Sequence, residues 1–316
     1  MKESFIRTRD LNRVQSLKLT DTPDFPKSIL LEPTNRCNLK CRFCYNSVSQ
    51  RPHSMLDIKL AEHILIDAFS LGVREVGFYL TGEPFLHPHL RELVLLAKHI
   101  GYTYIYLSTN GILASSDSVL QLAKNGLNSI KFSINAGDRG SYKLIHGVDA
   151  FQIVVNNLKA IISIRSTLEE YGLYRIMVSS VLSQSDNSSI YELQSRFAHL
   201  VDDFALYPCS PQPKVGSKSN QKVCHIPFSQ FFVTSTGHLT LCCRDSDNYL
   251  AVSDLSKESL KVAWHGAPAR ELRTKLLCNN LDNTLCSRCL TGSLNALRPL
   301  VPEFLNWGVG SKFEYT

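Results

Sequence analysis

Between residues 28 and 207 the apolar positions alternate between two periods. Short, nearly continuous apolar runs read as strands: SILLEP (28–33), EVGFYL (75–80), YTYIYLS (102–108), SIKFSI (129–134), YRIMVSSVL (174–182) and VDDFAL (201–206). Between them apolar residues recur about every 3.6 positions, as in DIKLAEHILIDAFSLG (57–72) and DAFQIVVNNLKAIISIRSTLEEYG (149–172), which predicts helices. Gly72, Gly101, Gly126 and Gly172 follow such segments, where a left-handed closing residue is needed, and Pro88 suits a first helical turn. Strands separated by helices pair in parallel through right-handed crossovers. Six such units predict an α/β fold, a partial (β/α)6 barrel of the TIM type that stays open on one side. Loops at the C-terminal ends of its strands are where chemistry gathers.

After Leu206 the pattern changes. YPCSPQPKVGSKSNQK (207–222) holds three prolines among polar residues and reads as a linker. QFFVTSTGHLTLCC (230–243) reads as a hairpin turning at Thr236–Gly237, followed by helical stretches around Leu255–Trp264 and Pro268–Leu277 and then by CSRC. The expected organisation is an N-terminal extension (1–27), the partial barrel (28–207), a linker (208–223), a small module with a hairpin (224–290) and a tail (291–316).

Composition changes this picture little. A chain of 316 residues, 44% apolar and 20% charged, is expected to bury a sizeable core. The net charge of +6 fits a small anionic ligand, and without a Lys/Arg block it argues against nucleic acid. The start, MKESFIRTRDLNRVQ, has no apolar run of signal-peptide type, and nowhere do 18 apolar residues follow one another. The expectation is a cytoplasmic protein with no membrane span. Thiols stay reduced there, so the ten cysteines point to metal or redox chemistry more than to disulfides.

Three of them fall on one loop after the first strand, RCNLKCRFCYN, as CxxxCxxC: Cys37, Cys41 and Cys44. A zinc knuckle wants a fourth ligand, and a redox dithiol leaves the third sulfur idle. A four-iron cube held by three thiolates keeps one iron open. Spacing alone leaves these readings side by side.

CNLKCRFC after a strand resembles the cluster loop of the radical S-adenosylmethionine (radical SAM) superfamily. The resemblance implies that Cys37, Cys41 and Cys44 bind a [4Fe-4S] cluster. Its open iron then chelates S-adenosylmethionine, and Phe43 lies by the adenine. About forty residues on, LTGEPFLHP ends strand two. The family has Gly-Gly-Glu-Pro there to hold the methionine amino group; here Thr81 replaces the first glycine, while Gly82, Glu83 and Pro84 remain. STNG (108–111), with Asn110, and SINAG (133–137), with Ser133 and Asn135, match positions where the family meets the ribose and the carboxylate. An acidic residue often stands where this chain has Asn135. Ser133 and Asn135 flank Ile134 and so face the same side of the strand.

Beyond the linker, CHIPFSQFFVTSTGHLTLCCRD, LKVAWHGAPARELR and CSRC resemble the SPASM and Twitch cluster modules. The resemblance implies an auxiliary [4Fe-4S] cluster on Cys224, Cys242, Cys286 and Cys289, with Cys243 the rival to Cys242. Trp264 and Arg273 match the family's helices. No cysteine follows Cys289, so a second auxiliary cluster is not expected. Cys278 is expected as a buried filler, and Cys209 as a candidate catalytic hydrogen donor near the barrel mouth.

The reaction expected from this resemblance is oxidation of a small molecule such as an alcohol, sugar or aminocyclitol. The auxiliary cluster would accept an electron, and a flavodoxin- or ferredoxin-type protein would supply one. The alternatives are a maturase acting on a short peptide or an epimerase; the 27 residues before strand one are few for a peptide-recognition domain. Outside catalysis the alternative is a zinc-binding scaffold.

Overall fold

A computed structural model describes residues 17–182, 187–208, 223–293 and 295–305, together with Phe5, Thr8, Arg9, Val14 and Gln15. The elements follow the predicted alternation. Strand β1 (Ser28–Leu31) leads through the three-cysteine loop to α1 (Ile58–Ser70). Next come β2 (Glu75–Phe78), α2 (Leu90–Ile100), β3 (Tyr104–Thr109), α3 (Ser116–Lys124) and β4 (Ser129–Ser133). Helices α4 (Arg139–His146), α5 (Phe151–Ser163) and α6 (Arg165–Glu170) precede β5 (Arg175–Leu182), then α7 (Ser188–Phe197) and β6 (Asp203–Pro208). The second part holds α8 (Ile226–Ser229), β7 (Phe231–Val233), β8 (His238–Thr240), β9 (Ala251–Asp254), α9 (Leu260–His265), α10 (Ala267–Leu277) and α11 (Leu285–Thr291).

Among the described residues the nine strands form one sheet in the order β6-β5-β4-β3-β2-β1-β7-β8-β9. The first six are parallel. Strand β7 adds in parallel to the free edge of β1, pairing Ile29 with Phe231 and Leu31 with Val233, and β8 and β9 continue antiparallel. The hairpin expected in an appended module therefore extends the barrel sheet itself. An open edge of apolar strand is a pairing template, and the fully buried FFV run of β7 satisfies it.

Pleating divides the sheet residues between two faces. Leu31, Phe78, Leu107, Phe132 and Val178 face the helices in the main core. Leu30, Tyr106 and Phe232 face the barrel lumen. Gly77 lies between two of these: a Cβ there would strike the Leu30 side chain and the Tyr106 ring, so the lumen wall closes only around a glycine. The described N-terminal residues pack here too. Phe5 meets Tyr104 edge-on, with ring centroids 6.2 Å apart, and the Arg175 guanidinium lies 3.5 Å from the Phe5 centroid.

Several local expectations change. The segment 149–172 is two helices, because Ile164 leaves the helical conformation and Arg165 turns to bind Asp202 at 2.9 Å. Pro88 lies in the turn before α2, whose N-cap is His89. The four predicted closing glycines all adopt positive φ, from 88° at Gly172 to 108° at Gly101 and Gly126. Strand β9 and helix α11 carry no clear periodic signal in so few residues. Among the described residues no helix is long and apolar enough to cross a membrane.

Candidate functional site

The three-cysteine loop is held by the end of α4. The last carbonyls of a helix lack intrahelical partners, and here they receive the loop's amides: Lys40 N–H donates to His146 O (3.2 Å) and Arg42 N–H to Ile145 O (3.0 Å). His146 Nδ1 reaches Cys41 Sγ at 3.0 Å. Burial pushes the Cys41 thiol up to about 12, and Cys44 and Cys37 add to the rise. Cys37 is pushed to about 11 by burial, with Glu83 and Cys44 contributing. The three sulfurs thus converge closely enough to oppose one another's ionisation. As free thiols they keep their protons at neutral pH, whereas a bound metal centre takes thiolates. That donor set fits a cluster. Phe43 is 36% exposed and meets His146 edge-on at 6.3 Å.

The turn after β2 lies across the backbone that leads into this loop. Glu83 N–H donates to Arg36 O at 2.8 Å, and a Cβ on Gly82 would come within 2.1 Å of the Thr34 carbonyl oxygen. Only glycine permits that approach. The buried Glu83 carboxylate accepts from Thr109 Oγ1 (2.8 Å) and from the amides of Asn110 (2.7 Å) and Phe85 (3.2 Å), with Pro84 starting a short 3-10 turn. It therefore ties the end of β3 to the turn. Asn110 in turn donates to Asn38 Oδ1 at 2.7 Å and contacts Cys37 Sγ at 3.9 Å. Asn135 Nδ2 approaches Ser133 Oγ at 3.4 Å, as expected for residues on one face, and Asn135 Oδ1 is taken by the amide of Val181.

Burial raises the Glu83 carboxyl from its ordinary 4.5 to about 7, against three hydrogen bonds that favour the charged form. The folded protein then keeps a proton that the unfolded chain has lost. Stability falls as pH rises from about 4.5 to about 7 and is level above. Wild type should accordingly lose roughly 3 kcal/mol relative to Glu83→Gln across that window, read from melts of both proteins at several pH values. A difference that does not change with pH contradicts the assignment.

Sequence reading missed a charged cluster beside this turn. Glu32, one residue past β1, is completely buried and paired with Arg51 at 2.6 Å. Its carboxylate also accepts from the Thr81 amide (3.1 Å) and hydroxyl, and from the Ser235 amide (2.8 Å) and hydroxyl (2.9 Å). Burial would raise this carboxyl, but Arg51 and these hydrogen bonds outweigh it and hold the pKa below the ordinary value. The one local signal was a glutamate ending an apolar strand.

The auxiliary cysteines also come together. Cys224 precedes α8, Cys242 follows β8, and α11 presents Cys286 and Cys289 three residues apart, hence on one helix face. Thr284 caps α11 by accepting from the Ser287 amide at 3.2 Å. Burial, then Cys224 and Cys289, raise Cys286 to about 12; Cys242 is raised chiefly by its hydrogen bond with Cys243 and by burial, with Cys286 adding less. Cys242 packs against the main core and Cys243 against the lumen group, as expected of neighbours, yet Cys243 also bears on Cys224. Arg244, unforeseen, donates from Nη1 to Cys289 Sγ at 3.5 Å. Arg273 stacks 3.9 Å from the Trp264 ring and donates to the carbonyls of Trp264 (2.6 Å) and Pro227 (3.0 Å), anchoring the helix pair beside Cys224. Cys278 is exposed at the end of α10, not a buried filler, because that position faces away from the packed side of the helix.

A cavity of about 400 Å³ occupies the lumen, with Tyr79, Tyr106, Lys131, Met177, Tyr207 and Cys243 on its wall. The Arg175 guanidinium is turned to Phe5. Cys209 lies outside the described residues.

Comparison with known proteins matches residues 31–178 to the radical SAM superfamily and residues 224–290 to the SPASM iron–sulfur cluster-binding domain. The probable GTP 3′,8-cyclase of Saccharolobus islandicus is 28% identical over 166 residues, 50% of this chain and 49% of that protein. The GTP 3′,8-cyclase of Chlorobaculum tepidum is 28% identical over 157 residues, 48% of this chain and 47% of that protein. The match thus spans about half the length of these relatives. Among solved structures, BtrN in complex with AdoMet and 2-DOIA has a TM-score of 0.54 at 19% identity, covering 79% of this chain and 87% of that one. SuiB from Streptococcus suis bound to S-adenosylmethionine has a TM-score of 0.63 at 18% identity, covering 89% and 75%. These structures share the fold. Both families bind [4Fe-4S] clusters, which sets the zinc scaffold aside. This chain belongs to the radical SAM superfamily of enzymes and carries a SPASM domain behind its barrel.

Proposed function

We propose that this enzyme oxidises a small alcohol, sugar or aminocyclitol by two electrons, cleaving one S-adenosylmethionine for each carbonyl formed. The observation that carries the reading is the position of Cys243. It lies on the wall of the lumen cavity, and the next residue back, Cys242, belongs to the auxiliary cysteine set. An electron acceptor at that set is one residue from a bound substrate.

In this reading Cys37, Cys41 and Cys44 hold one cluster, and Cys224, Cys242, Cys286 and Cys289 the other. When bound, the first supplies the electron that splits S-adenosylmethionine to a 5′-deoxyadenosyl radical, and the second accepts one from the substrate. Glu83 and the backbone of Thr81, Gly82 and Pro84 hold the amino group; a fully buried carboxyl, raised by desolvation, suits the positive charge of an ammonium. Asn110, Ser133 and Asn135 meet the ribose and the carboxylate, and the exposed face of Phe43 meets the adenine. The lumen excludes water and orients the C–H bond. Overall, the substrate carbon gives one hydrogen atom to the radical, its hydroxyl releases one proton to solvent, and one electron leaves. A flavodoxin- or ferredoxin-type protein restores the first electron.

A cavity of about 400 Å³ lies within the ordinary range for small-molecule sites, roughly 300–1,000 Å³. BtrN was solved with AdoMet and 2-DOIA, and SuiB with its precursor peptide SuiA, so proteins of this fold hold ligands of more than one kind. The test is to offer aminocyclitols and short peptides to the reduced enzyme and to measure products. One carbonyl per 5′-deoxyadenosine is expected from an aminocyclitol or sugar. An inverted product at unchanged oxidation level, or turnover of peptides alone, overturns the reading.

A further inference from the structure

Thr81 stands where the superfamily motif has glycine, yet its side chain is not idle. Its hydroxyl donates to Glu32 and accepts from Arg51 Nη2 at 3.1 Å, which no glycine could do. The same carboxylate receives Ser235, in the turn of the hairpin that leads to Cys242, and Ser235 Oγ also meets Ser54 Oγ at 2.6 Å. Arg51 reaches onward to Asn248 Oδ1 at 3.5 Å. Just before it, the Ser49 hydroxyl and the Gln50 amide donate to Asp247 Oδ1 at 2.8 and 2.9 Å. The chain leaving Cys44 is therefore clipped to the chain leaving Cys242 and Cys243. Every member of the central group (Glu32, Arg51, Ser235) is buried.

We propose that Glu32 is a positioning residue, fixing the cofactor-binding turn at Thr81 and the auxiliary hairpin at Ser235 in one register. The carboxylate sits between the two structures, and each offers it both a backbone amide and a hydroxyl. A shift of the hairpin moves Ser235 away from Glu32, and Glu32 can follow only by releasing Thr81. Gly82 allows the turn no other seat, because its backbone lies against the carbonyls of Thr34 and Arg36. The state of the auxiliary module is in this way felt at the cofactor turn. The inference uses the cofactor site of the superfamily and is independent of the substrate.

The test compares wild type with Thr81→Val, Thr81→Ser and Ser235→Ala, all prepared with both clusters. S-adenosylmethionine affinity is measured by equilibrium binding, and the auxiliary cluster by electron paramagnetic resonance with and without S-adenosylmethionine. Thr81→Val should weaken binding about tenfold and Thr81→Ser should restore it, the loss being that of one charge-assisted hydrogen bond. Ser235→Ala, on the other module, should weaken binding on the order of fivefold, and S-adenosylmethionine should alter the auxiliary signal in wild type but not in this variant. Wild-type affinity in Ser235→Ala, even with a lowered melting temperature, overturns the proposal.

Discussion

Cys41→Ala should abolish 5′-deoxyadenosine formation and lower bound iron by about four per chain. Cys41 is the central sulfur of its loop and is raised by burial and then by Cys44 and Cys37, so on the proposed assignment its removal leaves two ligands for a site that needs three. The fold should survive the change. The loop is fixed through backbone bonds from Lys40 and Arg42 to α4, and these do not involve the thiol. A folded protein with an empty first site and an intact auxiliary site is the expected state. Cofactor cleavage at the wild-type rate would mean that this loop does not hold the reducing cluster.

Cys286→Ala should remove the proposed auxiliary cluster while leaving the first. Cys286 is the buried sulfur of α11, and its charge would act on Cys224, Cys289 and Cys242 alike. Metal binding in such a module is also folding free energy, and a drop in melting temperature is expected. The loss stays local, because β7 is still paired to β1 and Arg273 still stacks on Trp264. Iron should fall by about four and product formation should stop, while S-adenosylmethionine cleavage persists. Product at the wild-type rate in this variant would remove the auxiliary cluster from the reaction.

What the sequence made legible follows from locality. Strands β1, β2 and β3 are buried along almost their whole length and so read as nearly continuous apolar runs, whereas β6 alternates buried and half-buried residues. The cluster loop lies within eight residues, and Gly82 is only four residues past the end of β2. Contacts that join distant segments left weaker signs. Glu32 meets Ser235 across 203 positions, and nothing near either residue announces the other. The pairing of β7 with β1 is set by which edge is free once six strands have assembled, a property of the folded sheet rather than of FFV itself. His146 and Arg244 touch Cys41 and Cys289 only because α4 and the loop after β8 end beside them. Cys242 and Cys243 do turn to opposite faces, but alternation alone does not say which of the two joins Cys224, Cys286 and Cys289.

Oxygen-free protein, with both clusters loaded to about eight irons per chain, reduced with dithionite and given S-adenosylmethionine, tests the central claim most directly. The account predicts 5′-deoxyadenosine and methionine in equal amounts from wild type. Fully loaded, reduced protein that yields neither would contradict it.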